Sequence, residues 1–70
     1  MRKQRPTHVG EVIKARRETA GLTRNALAVK AGVNASYLMR LERGNIAHPS
    51  FHTVCQLADA LGCKADELRP

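Results

Sequence analysis

TRNALAVKAGVNASYLMRLER, the sequence of residues 23–43, predicts two short helices joined by a tight turn. Thr23 and Asn34 are typical N-cap residues, because their side-chain oxygens can accept a hydrogen bond from a free N–H group at the start of a helix. We therefore predict a helix over residues 24–30 and another that is capped by Asn34 and ends near Arg43. Because a further helix is expected before them, they are called the second and third helices.

The residues around the turn indicate how these two helices pack. Gly32 lies between them and permits a backbone with positive φ. Ala28 is small, which suits a place where two helices cross closely, and Leu38 and Leu41 hold the third helix on the core at helical spacing. The other face of the third helix is left free to enter a groove. This is the layout of a helix-turn-helix motif over residues 23–42.

The flanking segments complete a compact all-α fold of five helices. Thr7 is expected to cap a first helix that ends near Ala20, and Ser50 a fourth helix over residues 51–61. Residues 65–68 can form one further turn. No segment alternates between apolar and polar residues with period two, so we predict no strands.

The domain is expected to cover residues 7–69, after a basic and polar N-terminal arm at residues 1–6. Arg16 falls on or near the apolar stripe of the first helix, so its aliphatic stem must pack while its charged head reaches water. The fourth helix is predicted to turn these residues inward: Phe51, Val54, Cys55, Leu57, Ala58 and Leu61.

Charge indicates the class of partner. The 70 residues include 12 Lys and Arg against 6 Asp and Glu, a formal net charge of +6. All of this excess lies in residues 1–30, whereas residues 31–70 sum to zero. The expected partner is a polyanion, either nucleic acid or an anionic membrane surface. No apolar run approaches the ~18 residues of a membrane span, and a chain this short is one domain at most.

Neither a cofactor nor catalysis is expected. Two cysteines are too few for the disulfide framework of a secreted domain, which favours the reduced cytoplasm. A zinc site of His48, His52, Cys55 and Cys63 is a less favoured alternative to buried thiols, because the spacing is irregular. No phosphate loop or nucleophile elbow is present, so we predict that the protein is not an enzyme. His48 is a further candidate for a phosphate contact.

From Val9 to Leu68 the chain resembles the lambda-repressor-like, Cro/cI type of helix-turn-helix domain, known as the XRE family. Each piece of the likeness is common, but their ordered set is specific. The pieces are Gly21-Leu22-Thr23, Leu27-Ala28, Ala31-Gly32-Val33, Leu38, Leu41-Glu42-Arg43-Gly44, Pro49-Ser50 and Ala58-Asp59-Ala60-Leu61-Gly62.

The resemblance implies that the third helix lies in the major groove and contacts bases through Ala35, Ser36, Met39 and Arg40. Arg40 is the strongest candidate, because its fork can bind guanine O6 and N7 together. For Met39 the alternative is a packing residue, and for Ser36 a solvated hydroxyl. Helical spacing gives independent support, because four residues at i, i+3, i+4 and i+7 share one face: Ser36, Met39, Arg40 and Arg43.

Phosphate contacts are implied at the helix starts and after the third helix. Arg24 stands where many relatives carry Gln, and its charge suits a phosphate. Tyr37 has core packing as its alternative, and for Arg43 and Asn45 it is an ordinary solvated surface. The implied phosphate contacts are Thr23, Arg24, Asn34, Tyr37, Arg43 and Asn45.

Two further implications concern the scaffold. Arg17 and Glu42 match a pair that forms a structural salt bridge between the first and third helices. Lys64 stands where the family usually has a Ser or Thr cap, so the last turn is expected to fray.

The predicted function is a sequence-specific regulator of transcription that binds double-stranded DNA as a homodimer, as a repressor rather than an activator. The arm at residues 1–6 either reaches the DNA or stays solvated. The alternative is an antitoxin or adaptor whose main partner is another protein. The sequence also leaves open whether this is a stand-alone regulator or the DNA-binding piece of a longer protein.

Overall fold

A computed structural model describes residues 8–46 and 48–69 of the chain. These residues contain no strand, so the predicted all-α class is confirmed. The fifth predicted helix is a single 3₁₀ turn rather than an α-helix, and the predicted arm at residues 1–6 lies outside the described residues. The elements are α1 (Val9–Thr19), α2 (Arg24–Ala31), α3 (Ala35–Glu42), α4 (Phe51–Leu61) and the 3₁₀ helix (Ala65–Leu68).

Side-chain caps set where α2 and α4 begin. Thr23 Oγ1 accepts a hydrogen bond from the Ala26 N–H at 3.1 Å, and Ser50 Oγ accepts one from the Thr53 N–H at 3.1 Å. Each oxygen satisfies an N–H group that has no partner within its helix. Gly32 ends α2 in the left-handed conformation with φ 73°. The caps and the stop are those that the sequence predicts.

The start of α1 differs from the prediction. Thr7, the expected cap, lies outside the described residues, and the N-cap in the structure is His8. His8 Nδ1 accepts a hydrogen bond from the Glu11 N–H at 3.3 Å. A neutral imidazole carries one acceptor nitrogen, so it can replace a Ser or Thr oxygen. The backbone of His8 is extended, so α1 begins one residue after it, at Val9.

The helices pack around six fully buried aliphatic side chains. α1 lies against α3, α2 against α3 and α4, and the 3₁₀ helix against α4 and α1. Each fully buried side chain of this kind stabilises the fold by about 1.5–3 kcal/mol relative to exposure. These residues are Ile13, Leu27, Leu38, Leu41, Leu57 and Leu68.

Phe51 does not face the core, although the sequence predicts that it does. Its side chain is 76% exposed. It shares the helical face of buried Ala58, seven residues later, but it is the first residue of α4 and borders an open cleft instead of the core. The inward face of α4 begins at half-buried Val54 and continues with Leu57.

Glu67 holds the last turn. Its Oε2 accepts a hydrogen bond from the Lys64 N–H at 3.0 Å, and its Oε1 accepts one from Arg16 Nη2 at 3.3 Å. The carboxylate thus satisfies the N–H group of Lys64 itself, which is a different donor from the N–H groups that a Ser or Thr side chain at position 64 would cap. The same contacts give the charged head of Arg16 a partner and join α1 to the 3₁₀ helix.

The described residues were searched for a membrane-spanning helix, a disulfide and a metal site. Within them, no helix combines the length and apolar character needed to cross a bilayer. Cys55 and Cys63 are half-buried free thiols. No group of three or more His, Cys, Asp or Glu side chains in residues 8–46 and 48–69 could hold a metal ion. The zinc alternative therefore has no ligand cluster.

Candidate nucleic-acid interface

The eight residues of α3 divide into a buried face and an outward face. Leu38 and Leu41 are fully buried, and Glu42 is buried with them. Ser36 and Arg40 are exposed on the other side. The amphipathic pattern of the sequence therefore leaves a polar surface on a helix that the core holds rigidly.

A groove of about 330 Å³ lies between the first turns of α2 and α3. It brings together three predicted base-contact residues and two predicted phosphate-contact residues. Asn25 also lines the groove, although the sequence did not predict a role for it. The signal that could have found it is its polar side chain in the first turn of α2, next to Arg24. The lining residues are Thr23, Arg24, Asn25, Ala35, Ser36 and Met39.

Arg40, Arg43 and Asn45 do not line this groove. All three are exposed, and they continue the outward surface towards the end of α3 and the turn that follows it. No ion pair among the described residues uses Arg40 or Arg43. Their charges therefore face solvent without a carboxylate partner in the described structure.

The two cap residues use their side-chain oxygens within the chain. Thr23 Oγ1 caps α2, and Asn34 Oδ1 accepts hydrogen bonds from the N–H groups of Ser36 at 2.8 Å and Tyr37 at 3.2 Å. These contacts occupy N–H groups at the helix starts that would otherwise be free to bind an anion. The side-chain donors of these two residues that remain for an external anion are the Thr23 hydroxyl proton and the Asn34 amide nitrogen.

Three residues of α3 lie between the buried and exposed faces. Ala35 and Tyr37 are partly buried and pack against the core. For Tyr37 this packing favours the alternative to a phosphate contact. Met39 is half-buried, lines the groove and does not belong to the group packed on the core.

Glu42 is the point where α1, α2 and α3 meet. Arg17 donates from Nε to Glu42 Oε2 at 2.8 Å and from Nη2 to Oε1 at 3.2 Å. Its Nη1 donates to the Leu22 carbonyl at 2.9 Å. Arg24 Nε adds a third hydrogen bond to the carboxylate, to Oε1 at 3.2 Å. The side chains of Glu42 and Arg17 are only 1% and 10% exposed.

The Arg17 guanidinium is stabilised in its charged form. Its hydrogen bond to Glu42 raises the pKa of Arg17 above the ordinary arginine value, and this outweighs the opposing effect of burial. Coulombic attraction to Glu42 and Glu18 acts in the same direction as the hydrogen bond. Arg17 is therefore a permanent cation inside the scaffold.

The sequence pattern of a helix-turn-helix domain family matches residues 8–70. The chain belongs to the lambda-repressor-like helix-turn-helix family. This confirms the resemblance seen in the sequence. In this helix-turn-helix domain, α2 and α3 are the two helices of the motif, and Gly32 makes the turn between them.

Similar proteins carry the same motif. The HTH-type transcriptional regulator SlrR of Bacillus subtilis is 35% identical over 60 residues, which are 86% of this chain and 40% of SlrR. The uncharacterized HTH-type transcriptional regulator YazB of the same organism is 39% identical over 61 residues, 87% of each chain. The helix-turn-helix domain thus spans less than half of SlrR but most of YazB.

Solved structures share the fold. SinR, a master regulator for biofilm formation, has been solved in complex with DNA; the match has a TM-score of 0.83 and 33% identity, and covers 86% of this chain and 95% of that one. SinR has also been solved in a complex with SinI. The arrangement of α1 to α4 is therefore that of a known DNA-bound regulator.

Proposed function

We propose that this helix-turn-helix domain binds double-stranded DNA sequence-specifically and regulates transcription, with α3 in the major groove. The observation that carries the proposal is the division of α3 into a fully buried face and an outward face bearing Ser36 and Arg40. An α-helix fits the width of the major groove of B-DNA. The similarity to SinR, which was solved with DNA, supports the same mode of action.

Base contacts are assigned to the residues along the outward face. Arg40 is exposed and has no carboxylate partner among the described ion pairs, so its fork can bind one guanine through O6 and N7. Ser36 can donate to or accept from a base edge. Ala35 and Met39 line the groove beside it and offer apolar contact to a thymine methyl group.

Phosphate contacts are assigned to the donors around this face. They fix the register of the protein on the duplex, and they make affinity strongly dependent on salt. Tyr37 is left out because it packs against the core. The proposed set is Thr23, Arg24, Asn34, Arg43 and Asn45.

Repression is the proposed direction of regulation, in the cytoplasm. A protein that occupies an operator blocks polymerase by mass action and needs no chemistry of its own. Two copies acting as a homodimer would place their α3 helices in successive major grooves, about 34 Å apart.

The proposed dimer surface is an open cleft of about 700 Å³ beside the start of α4. Phe51 and Val54 supply apolar area, and Phe51 is largely exposed. Asp66 and Arg69 also line the cleft, but they form an ion pair with each other, with 3.1 Å between Arg69 Nε and Asp66 Oδ1, so the proposed contact rests on the apolar area.

A protein partner is the second candidate, as expected for the antitoxin or adaptor type. Val29 on α2 is 83% exposed, and it is not one of the residues that line the groove between α2 and α3. SinR has been solved with SinI, so a protein of this fold also takes a protein partner. A purified complex that forms without DNA would favour this candidate.

The test is selection of binding sites from random duplexes at physiological salt, with stoichiometry measured on the enriched sequence. We expect two related half-sites and two protein copies per duplex. Log K should fall by about 0.9 per neutralised phosphate for each unit rise in log salt concentration. A lack of any enrichment would refute sequence-specific binding.

A further inference from the structure

Two arginines share one buried carboxylate at the junction of α1, α2 and α3. Arg17 already donates two hydrogen bonds to Glu42, and Arg24 Nε adds a third at 3.2 Å. One carboxylate neutralises only one of the two guanidinium groups. The cluster of Arg17, Arg24 and Glu42 therefore carries one net positive charge.

The surplus charge lies at the surface. The Glu42 side chain is only 1% exposed, whereas that of Arg24 is 37% exposed. The carboxylate is thus fixed by the core, and the partly exposed Arg24 is one of the residues that line the groove between α2 and α3. Among the hydrogen bonds between described residues, the bond to Glu42 is the one made by the Arg24 side chain.

We propose that Glu42 is a positioning residue for DNA binding, which holds the Arg24 guanidinium in the orientation that binds a backbone phosphate. This inference rests on the proposed DNA binding. The bond to Nε fixes the plane of a guanidinium whose remaining donors sit on its two Nη atoms. Those donors form the edge that matches a phosphate in bidentate geometry.

Positioning matters because a free arginine side chain loses rotamer freedom when it binds. The bond to Glu42 restricts Arg24 before DNA arrives, so less freedom is lost on binding. It also joins the first residue of α2 to the last residue of α3. A phosphate held by Arg24 is thereby kept at a fixed offset from the residues of α3 that contact bases.

The experiment is a double-mutant cycle on DNA affinity, with the full chain and a selected duplex. Its variants are Arg24→Ala, Glu42→Gln and the double variant. We expect Arg24→Ala to weaken binding about tenfold in the unchanged background. In the Glu42→Gln background the same change should weaken binding at least about threefold less, because the arginine is no longer held.

Arg43→Ala is the matched control. Arg43 is exposed near the same end of α3 but makes no ion pair with Glu42 in the described structure. Its cycle with Glu42→Gln should be additive. If Glu42 only supports the fold, both arginine cycles will show the same coupling, and the proposal is overturned.

Arg24→Lys provides a test that does not depend on the folding of the Glu42 variant. Lysine keeps the charge but lacks the planar fork, so it should lose most of the affinity that Arg24→Ala loses. Binding equal to that of the unchanged protein would overturn the positioning role. If the unchanged protein binds no duplex, the proposed function fails and this inference with it; if it binds but no coupling is found, this inference alone fails.

Discussion

Gly10 of α1 lies directly against the backbone of Leu41 in α3. A Cβ atom on Gly10 would overlap the Leu41 carbonyl oxygen and would come within 3.0 Å of the Glu42 Cα. The absent side chain lets the two helices approach closely. Arg17 is seven residues after Gly10, about two turns along the same face, and there it reaches Glu42.

We expect Gly10→Ala to destabilise the protein by about 1–3 kcal/mol, because the added methyl group meets backbone that cannot move aside easily. Helix propensity alone predicts the opposite, a gain of about 1 kcal/mol. The measurement is urea unfolding followed by circular dichroism. Thr19→Ala is the control, since Thr19 is exposed in the same helix and its replacement should change stability by about 0.5 kcal/mol or less. A Gly10→Ala variant more stable than the parent would contradict the close contact.

Glu42→Ala should lower the free energy of unfolding by about 3–5 kcal/mol, because it leaves the Arg17 guanidinium buried without its counter-charge. Arg24→Ala removes a partner that is 37% exposed, and it should cost about 1 kcal/mol or less. Both are measured by chemical denaturation of the free protein. Equal losses from the two variants would show that the buried pair does not dominate this junction.

The contribution of Arg17 should not vary with pH near neutrality. The pKa of Arg17 is raised by its hydrogen bond to Glu42. A raised pKa means that the stabilisation is fully present below the unfolded-state pKa and is lost only as the pH rises through the folded-state value. Both lie in the strongly alkaline range. We measure the difference in the free energy of unfolding between the parent and Arg17→Met from about pH 6 to about pH 9. Loss of the Arg17 proton should cause no change in this difference over that range.

Arg40→Ala should reduce affinity for the selected duplex by about 1–3 kcal/mol and relax the preference at one base pair. Its affinity for random DNA should fall much less. Lys14→Ala is the control, because Lys14 is exposed on α1 outside the outward face of α3. The comparison uses competition binding with sequence variants of the site. Equal losses on selected and random DNA would mean that Arg40 contacts a phosphate and not a base.

Phe51→Ser should weaken self-association while leaving the stability of the monomer nearly unchanged, because the ring is largely exposed in the cleft beside α4. Sedimentation over a range of protein concentrations measures the first effect, and thermal unfolding at low concentration the second. His52→Ala changes the neighbouring exposed residue outside that cleft and should alter neither. Unaltered association of the Phe51 variant would move the dimer interface elsewhere.

Local signals in the sequence were sufficient for most of the fold. A cap acts on N–H groups two or three residues away, so Thr23, Asn34 and Ser50 mark the starts of their helices reliably. Phe51 was misplaced because periodicity gives the face of a residue but not whether the core extends as far as its turn. His8 was missed as a cap because imidazole is an uncommon acceptor at that position.

The candidate interface was predictable only in part. The spacing of Ser36, Met39 and Arg40 places them on one side of a helix whatever surrounds it. The bond between Arg24 and Glu42 spans 18 residues and depends on how α2 meets α3, so no local pattern contains it. The same holds for Gly10, whose role depends on a second helix.

The outward and inward faces of α3 are both formed within only eight residues. Leu38, Leu41 and Glu42 hold the helix in place, and none of them belongs to the outward set. A different set of side chains could therefore be transplanted onto positions 36, 39 and 40 without repacking the interior. Under the proposed mode of DNA binding, the domain is in this sense an adaptable scaffold, on which new sequence preferences can evolve or be engineered one outward position at a time.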